Sequence, residues 1–206
     1  DDFVEHVFVA STHAYLCCFT NRGKMYRKKV FEIPEAGRQA RGTAIVNLLN
    51  VEPGEYVTAV IPIREFAQGH YMFFATRRGI VKKTPLEAFA NARKGGLIAI
   101  SLQDTDELIA VRLTDGKHQV SMVTAGGLSI RFTEDDVRAM GRTAQGVRGI
   151  ALADDDLVIA MEVTHPQMEQ ESELLVVTEK GFGKRTPFAE YRLQSRGGKG
   201  IYTIRV

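Results

Sequence analysis

A Thr-x-x-Gly element follows a short apolar run four times along this chain of 206 residues, and no other feature restricts the possible folds as strongly. The elements occupy 20–23, 76–79, 124–127 and 178–181, so their glycines, Gly23, Gly79, Gly127 and Gly181, are spaced by 56, 48 and 54 residues. Four residues beyond each glycine stands a base: Arg27, Lys83, Arg131 or Arg185. A second glycine (Gly42, Gly96, Gly146 or Gly200) follows the first by 19, 17, 19 and 19 residues and opens an alternating apolar run such as 200–206. Acidic turns at 1–4, 54–57, 106–109 and 155–158 separate the copies, which gives repeats of about 1–53, 54–104, 105–152 and 153–206. Repetition at this period predicts stacked units rather than one irregular core.

Each repeat offers four short β-rich runs between turn signals, with at most a brief helical turn near 85–89 or 187–190. That is the make-up of a propeller blade. One four-stranded blade cannot cover its own apolar faces, so neighbouring blades must stack around an axis. The predicted fold is therefore all-β and propeller-like. No linker rich in Pro, Gly and Ser divides the chain, so residues 1–206 are expected to form a single domain. The turn glycines suit tight hairpins, because glycine adopts a positive φ without steric cost.

Composition removes several alternatives. At 44% hydrophobic and 25% charged, the chain can bury a core, and it lacks the roughly 20 consecutive apolar residues of a membrane span. The acidic start, Asp1-Asp2-Phe3-Val4-Glu5, does not read as a secretory signal, and Cys17 and Cys18, adjacent in an apolar run, do not read as a disulfide framework. A cytoplasmic location is expected.

The net charge of +2 hides a strong segregation. The windows 20–42, 76–96, 124–146 and 178–200 carry +5, +5, 0 and +4, while the remainder of the chain carries −12. Equivalent positions of successive blades lie at one height on a disc, so repeated basic hairpins predict a positive band suited to a phosphate backbone. The competing reading is that bases on hairpins deter edge-to-edge aggregation. Repetition in three of the four windows favours the band, with the third, holding Glu134-Asp135-Asp136, as its weak sector.

Catalytic signatures are absent: there is no His-Glu-x-x-His, Gly-x-Ser-x-Gly or phosphate-binding Gly-x-x-x-x-Gly-Lys. His6, His13, His70, His118 and His165 are scattered without ligand spacing, and Asp154-Asp155-Asp156 reads as a blade turn rather than a calcium loop. Neither a metal nor a cofactor is expected. Tyr15, Tyr26, Tyr71 and Tyr202 fall in apolar or alternating runs and read as core or wall residues.

Several segments are specific enough to indicate a family. Residues 31–49, from Phe31-Glu32-Ile33-Pro34 to Asn47-Leu48-Leu49, closely resemble the C-terminal domain of bacterial DNA gyrase A, as do 2–6, 8–12 and 181–187. The resemblance covers essentially the whole chain. It implies a β-pinwheel of propeller-like blades that exchange strands, wraps duplex DNA around a basic rim and so directs supercoiling by a type II topoisomerase. It further implies that the segment is not an enzyme by itself and that the DNA-cleaving tyrosine lies elsewhere in gyrase A. The implied partners are duplex DNA, the rest of gyrase A, and gyrase B, in a bacterial, nucleoid-associated complex. No membrane or small-molecule substrate is implied.

The family's seven-residue box, Gln-Arg-Arg-Gly-Gly-Lys-Gly, belongs to the first blade, before the residues at which this chain begins. Gln194-Ser195-Arg196-Gly197-Gly198-Lys199-Gly200 resembles it in the fourth repeat, with Ser195 in place of an arginine. The expected phosphate contacts are Arg22, Lys24, Arg27, Lys28, Arg38 and Arg41 in repeat one; Arg77, Arg78, Lys82, Lys83, Arg93 and Lys94 in repeat two; and Lys180, Lys184, Arg185, Arg196 and Lys199 in repeat four. Arg142, before Gly146, is a weaker echo of the box. Two alternatives stand beside this reading: the corresponding C-terminal domain of topoisomerase IV, with weaker wrapping, and a protein-binding propeller of the WD40 or kelch kind. A chain without Trp cannot carry the WD40 Trp-Asp signature.

Overall fold

The computed structural model describes residues 4, 7–93 and 95–205. Its fourteen strands are β1 (Tyr15–Thr20), β2 (Lys24–Lys29), β3 (Val57–Ile63), β4 (Tyr71–Thr76), β5 (Ile80–Pro85), β6 (Leu97–Ile98), β7 (Leu108–Thr114), β8 (Gln119–Thr124), β9 (Leu128–Thr133), β10 (Val147–Arg148), β11 (Val158–Thr164), β12 (Glu173–Val177), β13 (Gly183–Pro187) and β14 (Ile201–Tyr202). Short 3-10 turns join them, and among the described residues no helix is long and apolar enough to cross a membrane.

Three antiparallel four-stranded sheets run β3-β1-β2-β6, β7-β4-β5-β10 and β11-β8-β9-β14, and β12-β13 form a fourth sheet of two strands. The second, third and fourth repeats each supply four strands, as expected, but a repeat is not a sheet. Its hairpin builds one sheet, and its first and last strands flank the hairpin of the preceding repeat. The fourth sheet is the hairpin β12-β13 alone, without flanking strands among the described residues.

Each Thr-x-x-Gly element makes the hairpin turn. The glycine N–H donates to the threonine carbonyl at 2.9–3.0 Å, and the threonine hydroxyl accepts from the backbone N–H four residues on, Thr76 from Ile80 and Thr124 from Leu128. Two turn groups that would otherwise lack partners are thus satisfied locally. Gly127 has φ +79°, and a Cβ there would meet the Ile204 carbonyl oxygen at 2.0 Å. That close approach is functional for the fold, because Thr203 and Ile204, returning from the next repeat, donate their N–H groups to the Gly127 carbonyl.

Side-chain alternation along a strand sends alternate residues to opposite faces. Along β4 both faces are covered: Met72 and Phe74 enter a core shared with Phe19, Met25, Phe89 and Ile100, whereas Phe73 and Ala75 enter a second core with Val81, Met122, Phe132 and Ile150. Phe19 meets Phe74 and Phe89 edge-on at 5.6 and 6.1 Å. Each fully buried aromatic contributes about 1.5–3 kcal/mol through apolar burial. Cys17 and Cys18 are buried free thiols, which burial pushes up to about 12 and about 11, so neither is available as a thiolate near neutral pH.

Candidate nucleic-acid interface

Bases at the hairpin tips meet carboxylates in, or just ahead of, the acidic turn that opens the following repeat. Asn21 donates its N–H to Tyr56, Arg77 to Glu107 and Ala125 to Leu157, so each acidic turn docks against the preceding tip. Asp106 and Asp156 accept the tip N–H groups of Arg78 and Gly126 through their side chains at 2.9 and 2.8 Å. Asp156, in the acidic triplet, is thereby a turn ligand for backbone. Arg22 and Lys24 both pair with Glu52, at 3.2 and 2.6 Å, and Arg77 pairs with Glu107 at 3.0 Å. Hydrogen bonding and charge between Lys24 and Glu52 hold the amine above and the carboxyl below their ordinary values. Lys28 lies 3.6 Å from Glu32. Charges segregated along the chain are therefore mixed in space at this end of the hairpins, with Arg78 exposed and not ion-paired among the described residues.

The bases expected furthest along the hairpins turn inward, which corrects part of the phosphate-binding set. Lys82 is fully buried and donates to the carbonyls of Ala99, Gly141 and Arg142, and burial, aided by the neighbouring Arg142 charge, pushes its amine down to about 7. Lys83, also buried, donates to the Glu134 carbonyl at 3.0 Å and lies over the Tyr71 ring. Arg27 is half-buried against Tyr15 and donates to the Ala90 carbonyl. Lys82 and Lys83 cannot touch a duplex from these positions. The sequence concealed this because a strand base reads as solvent-facing until the arm and 3-10 turn of the next repeat cover its face.

A different set of cations comes together on the arms that carry each repeat back to the preceding sheet. Met140 and Gln194 donate to the carbonyls of Lys83 and Arg131, laying each arm along the previous hairpin. Successive arms also bond to one another: Ser101 N–H to Ala144, Ala151 N–H to Gly198 and Gly197 N–H to Gly149. Arg93, Arg138, Arg148, Arg192 and Lys199 are exposed on this connected backbone, and none has an ion-pair partner among the described residues. Arg142 and Arg196 stiffen it by donating to the carbonyls of Ile98, and of Asp136 and Arg148. Lys94 lies outside the described residues.

Of the box-like loop, Gln194, Gly197 and Gly198 make these arm contacts, while Ser195 and Lys199 are exposed and Gly200 presses against the Ser129 carbonyl. Arg38 and Arg41 are exposed in the irregular segment after β2; Lys180 and Lys184 are exposed on the fourth hairpin, where Arg185 pairs with Glu173 at 3.2 Å. Arg138, Arg148 and Arg192 were missing from the expected set. The third window reads neutral because Glu134 offsets a base in the count, yet that carboxylate is buried.

A family model described as "DNA gyrase C-terminal domain, beta-propeller" matches residues 14–64, 70–115, 118–165 and 172–205. The chain is 48% identical over its whole length to the DNA gyrase A protein of Klebsiella oxytoca, and 44% identical to that of Staphylococcus epidermidis; in each comparison it spans 23% of the relative's length. Two solved structures share the fold. The C-terminal domain of DNA topoisomerase IV superimposes with a TM-score of 0.85 at 30% identity, covering 93% of this chain and 58% of the other. The DNA gyrase A C-terminal domain gives 0.75 at 26% identity, covering 93% and 60%.

Proposed function

The chain belongs to the DNA gyrase C-terminal domain family, and on that premise we propose that it binds duplex DNA through phosphate contacts, without base readout, and bends the duplex along its arms. The observation that carries this reading is the hydrogen-bonded succession of arms, which brings Arg93, Arg148 and Lys199 from three different repeats onto one connected backbone without carboxylate partners among the described residues. Arg138 and Arg192 extend the set. Arg38, Arg41, Arg78, Lys180 and Lys184 are the exposed bases that a longer path would add, whereas the cations paired with Glu52 and Glu107 contribute less. Bending 20 to 30 base pairs costs up to roughly 10 kcal/mol, which many distributed phosphate contacts can offset.

In this reading residues 1–206 act as one domain, since every flanking strand is lent to the preceding repeat and no cut leaves both sides with intact sheets. The domain supplies binding rather than catalysis to a bacterial type II topoisomerase, in which the rest of gyrase A, together with gyrase B, is its partner in the cytoplasm. The overall identity to gyrase relatives supports the gyrase assignment over topoisomerase IV.

The test is binding to duplexes of about 20 and about 100 base pairs across a salt series, with bending read by end-to-end fluorescence transfer. Tighter, strongly salt-dependent binding with shortening of the long duplex is expected. Equal, salt-insensitive binding of the two lengths, or none at low salt, overturns the proposal.

A further inference from the structure

The seventh residue beyond each turn glycine is Val30, Leu86, Glu134 or Phe188. These four positions are structurally equivalent, because their N–H groups donate in turn to the carbonyls of Ala14, His70, His118 and Ser172, the residues just ahead of each hairpin. Leu86 is buried there in an apolar cluster, and Phe188 is buried beneath the Arg131 guanidinium. Glu134 is buried as deeply, at 0% exposure, and neither of its carboxylate oxygens has a hydrogen-bond partner among the described residues. Lys83, the adjacent base, bonds to the backbone carbonyl of Glu134 and leaves the carboxylate alone. A carboxylate at a core position, deprived of water and unpaired, is strongly unfavourable unless something else approaches it.

What surrounds that carboxylate is a set of metal-binding groups. Donor atoms of Asp115, His118 and Glu134 all lie within 4.8 Å of one another. His165 Nε2 is 3.8 Å from Asp115 Oδ2, and its ring meets that of His118 edge-on at 5.4 Å. The four come from three separate stretches: the turn between β7 and β8, the exit of β9 and the exit of β11. We propose that Asp115, His118 and Glu134, with His165 as fourth donor, bind a divalent transition-metal ion of the zinc type.

Two imidazoles and two carboxylates suit such an ion, whereas calcium and magnesium require shells of six or more oxygens. Ligand atoms around a tetrahedral zinc are about 3.4 Å apart; His118 Nδ1 and Asp115 Oδ1 stand 2.8 Å apart and would part slightly, the Glu134 carboxylate would draw in from within 4.8 Å, and His165 would turn toward them. The Asp115, His118 and His165 side chains are 35%, 20% and 28% exposed, which leaves an entry path above the buried Glu134. Because β7 belongs to the second sheet and β8, β9 and β11 to the third, the ion would join two sheets and stabilise the folded chain against unfolding.

The experiment strips the chain with a chelator and titrates it with Zn²⁺ and Co²⁺, following heat, visible absorption and thermal unfolding. One ion per chain, intense cobalt bands of a four-coordinate site and a zinc-dependent rise in Tm are expected. Glu134→Leu places the second repeat's residue at the equivalent position, so it should fold and lose both the cobalt bands and the zinc-dependent shift. Glu134→Gln, nearly isosteric, should bind at least about tenfold more weakly, as should His118→Ala. Absence of binding to the stripped wild-type chain, or binding unchanged in Glu134→Leu and Glu134→Gln, overturns the site. Neither outcome depends on whether the domain binds DNA.

Discussion

The guanidinium of Arg131, on β9, donates to the carbonyl of Phe188 at 3.0 Å and lies 4.4 Å from the centre of that residue's ring, one repeat further along the chain. It also donates to the Tyr191 carbonyl and to Gln119, and pairs with Glu169 at 2.9 Å. Arg27 and Lys83, at the same place in their own repeats, reach Ala90 and Glu134 in the repeats that follow. The repeated base is thus a tie between neighbouring units, holding the 3-10 turn of one repeat to the hairpin of the one before. Arg185, the fourth copy, has no such target among the described residues and is 73% exposed.

Arg131→Met should therefore act on stability rather than on nucleic-acid affinity. Removing a buried, multiply bonded charge leaves two carbonyls and Gln119 without their donor, at a cost of about 3–5 kcal/mol. Denaturant unfolding should show this loss. Duplex affinity of the folded fraction should stay within about twofold, and a larger fall in affinity with unchanged stability would refute the tie.

Lys82 makes stability depend on pH. Its amine is held at about 7, below the 10.5 of an unperturbed lysine, so between these values the unfolded chain binds the extra proton and stability rises with pH. The slope is at most about 1.4 kcal/mol per pH unit. Cys17 and Cys18 work in the opposite sense, because their folded values of about 12 and about 11 exceed 9.0, and their contribution is lost as pH rises beyond it. Unfolding free energy should climb from pH 7 and pass through a maximum near about pH 9. Lys82→Met should flatten the climb; an unchanged slope would show that Lys82 is not its source.

Two turn glycines with nearly the same backbone should differ in what they tolerate. Gly127 and Gly181 have φ of +79° and +83°, yet a Cβ at Gly127 meets the Ile204 carbonyl at 2.0 Å whereas one at Gly181 meets nothing within 4 Å among the described residues. Gly181→Ala should cost about 1–2 kcal/mol from the left-handed conformation alone. Gly127→Ala should cost measurably more and weaken protection of the Ile204 amide against hydrogen exchange. Equal costs for the two would mean that the returning strand does not hold the turn.

Arm and tip cations should separate in a salt titration. Replacing Arg93, Arg138, Arg148 and Lys199 together by alanine should reduce the slope of log affinity against log salt by about 2 to 4, since each lost phosphate contact removes about 0.9. Replacing Arg22 and Arg77, both paired with carboxylates, should change it by less than about 1. The reverse ranking would move the path to the hairpin tips.

The sequence by itself determined what depends on neighbours along the chain. Thr76 and Gly79 make their turn from their own hydroxyl, carbonyl and positive φ, and alternation along β4 sorts Phe73 from Phe74, so strands, turns and the four-fold repetition were legible. Tertiary structure alone decided what those faces meet. Lys82 and Lys83 occupy strand positions that solvent would reach in a single hairpin, and they are buried because the arm and 3-10 turn of the next repeat lie across them. The same stacking carries Glu134 inward and brings His118 and His165, 47 positions apart, into ring contact. Pleat and turn chemistry are local, whereas burial and charge pairing follow from which repeat lends its strands to which sheet, and that exchange is recorded only in the packed molecule.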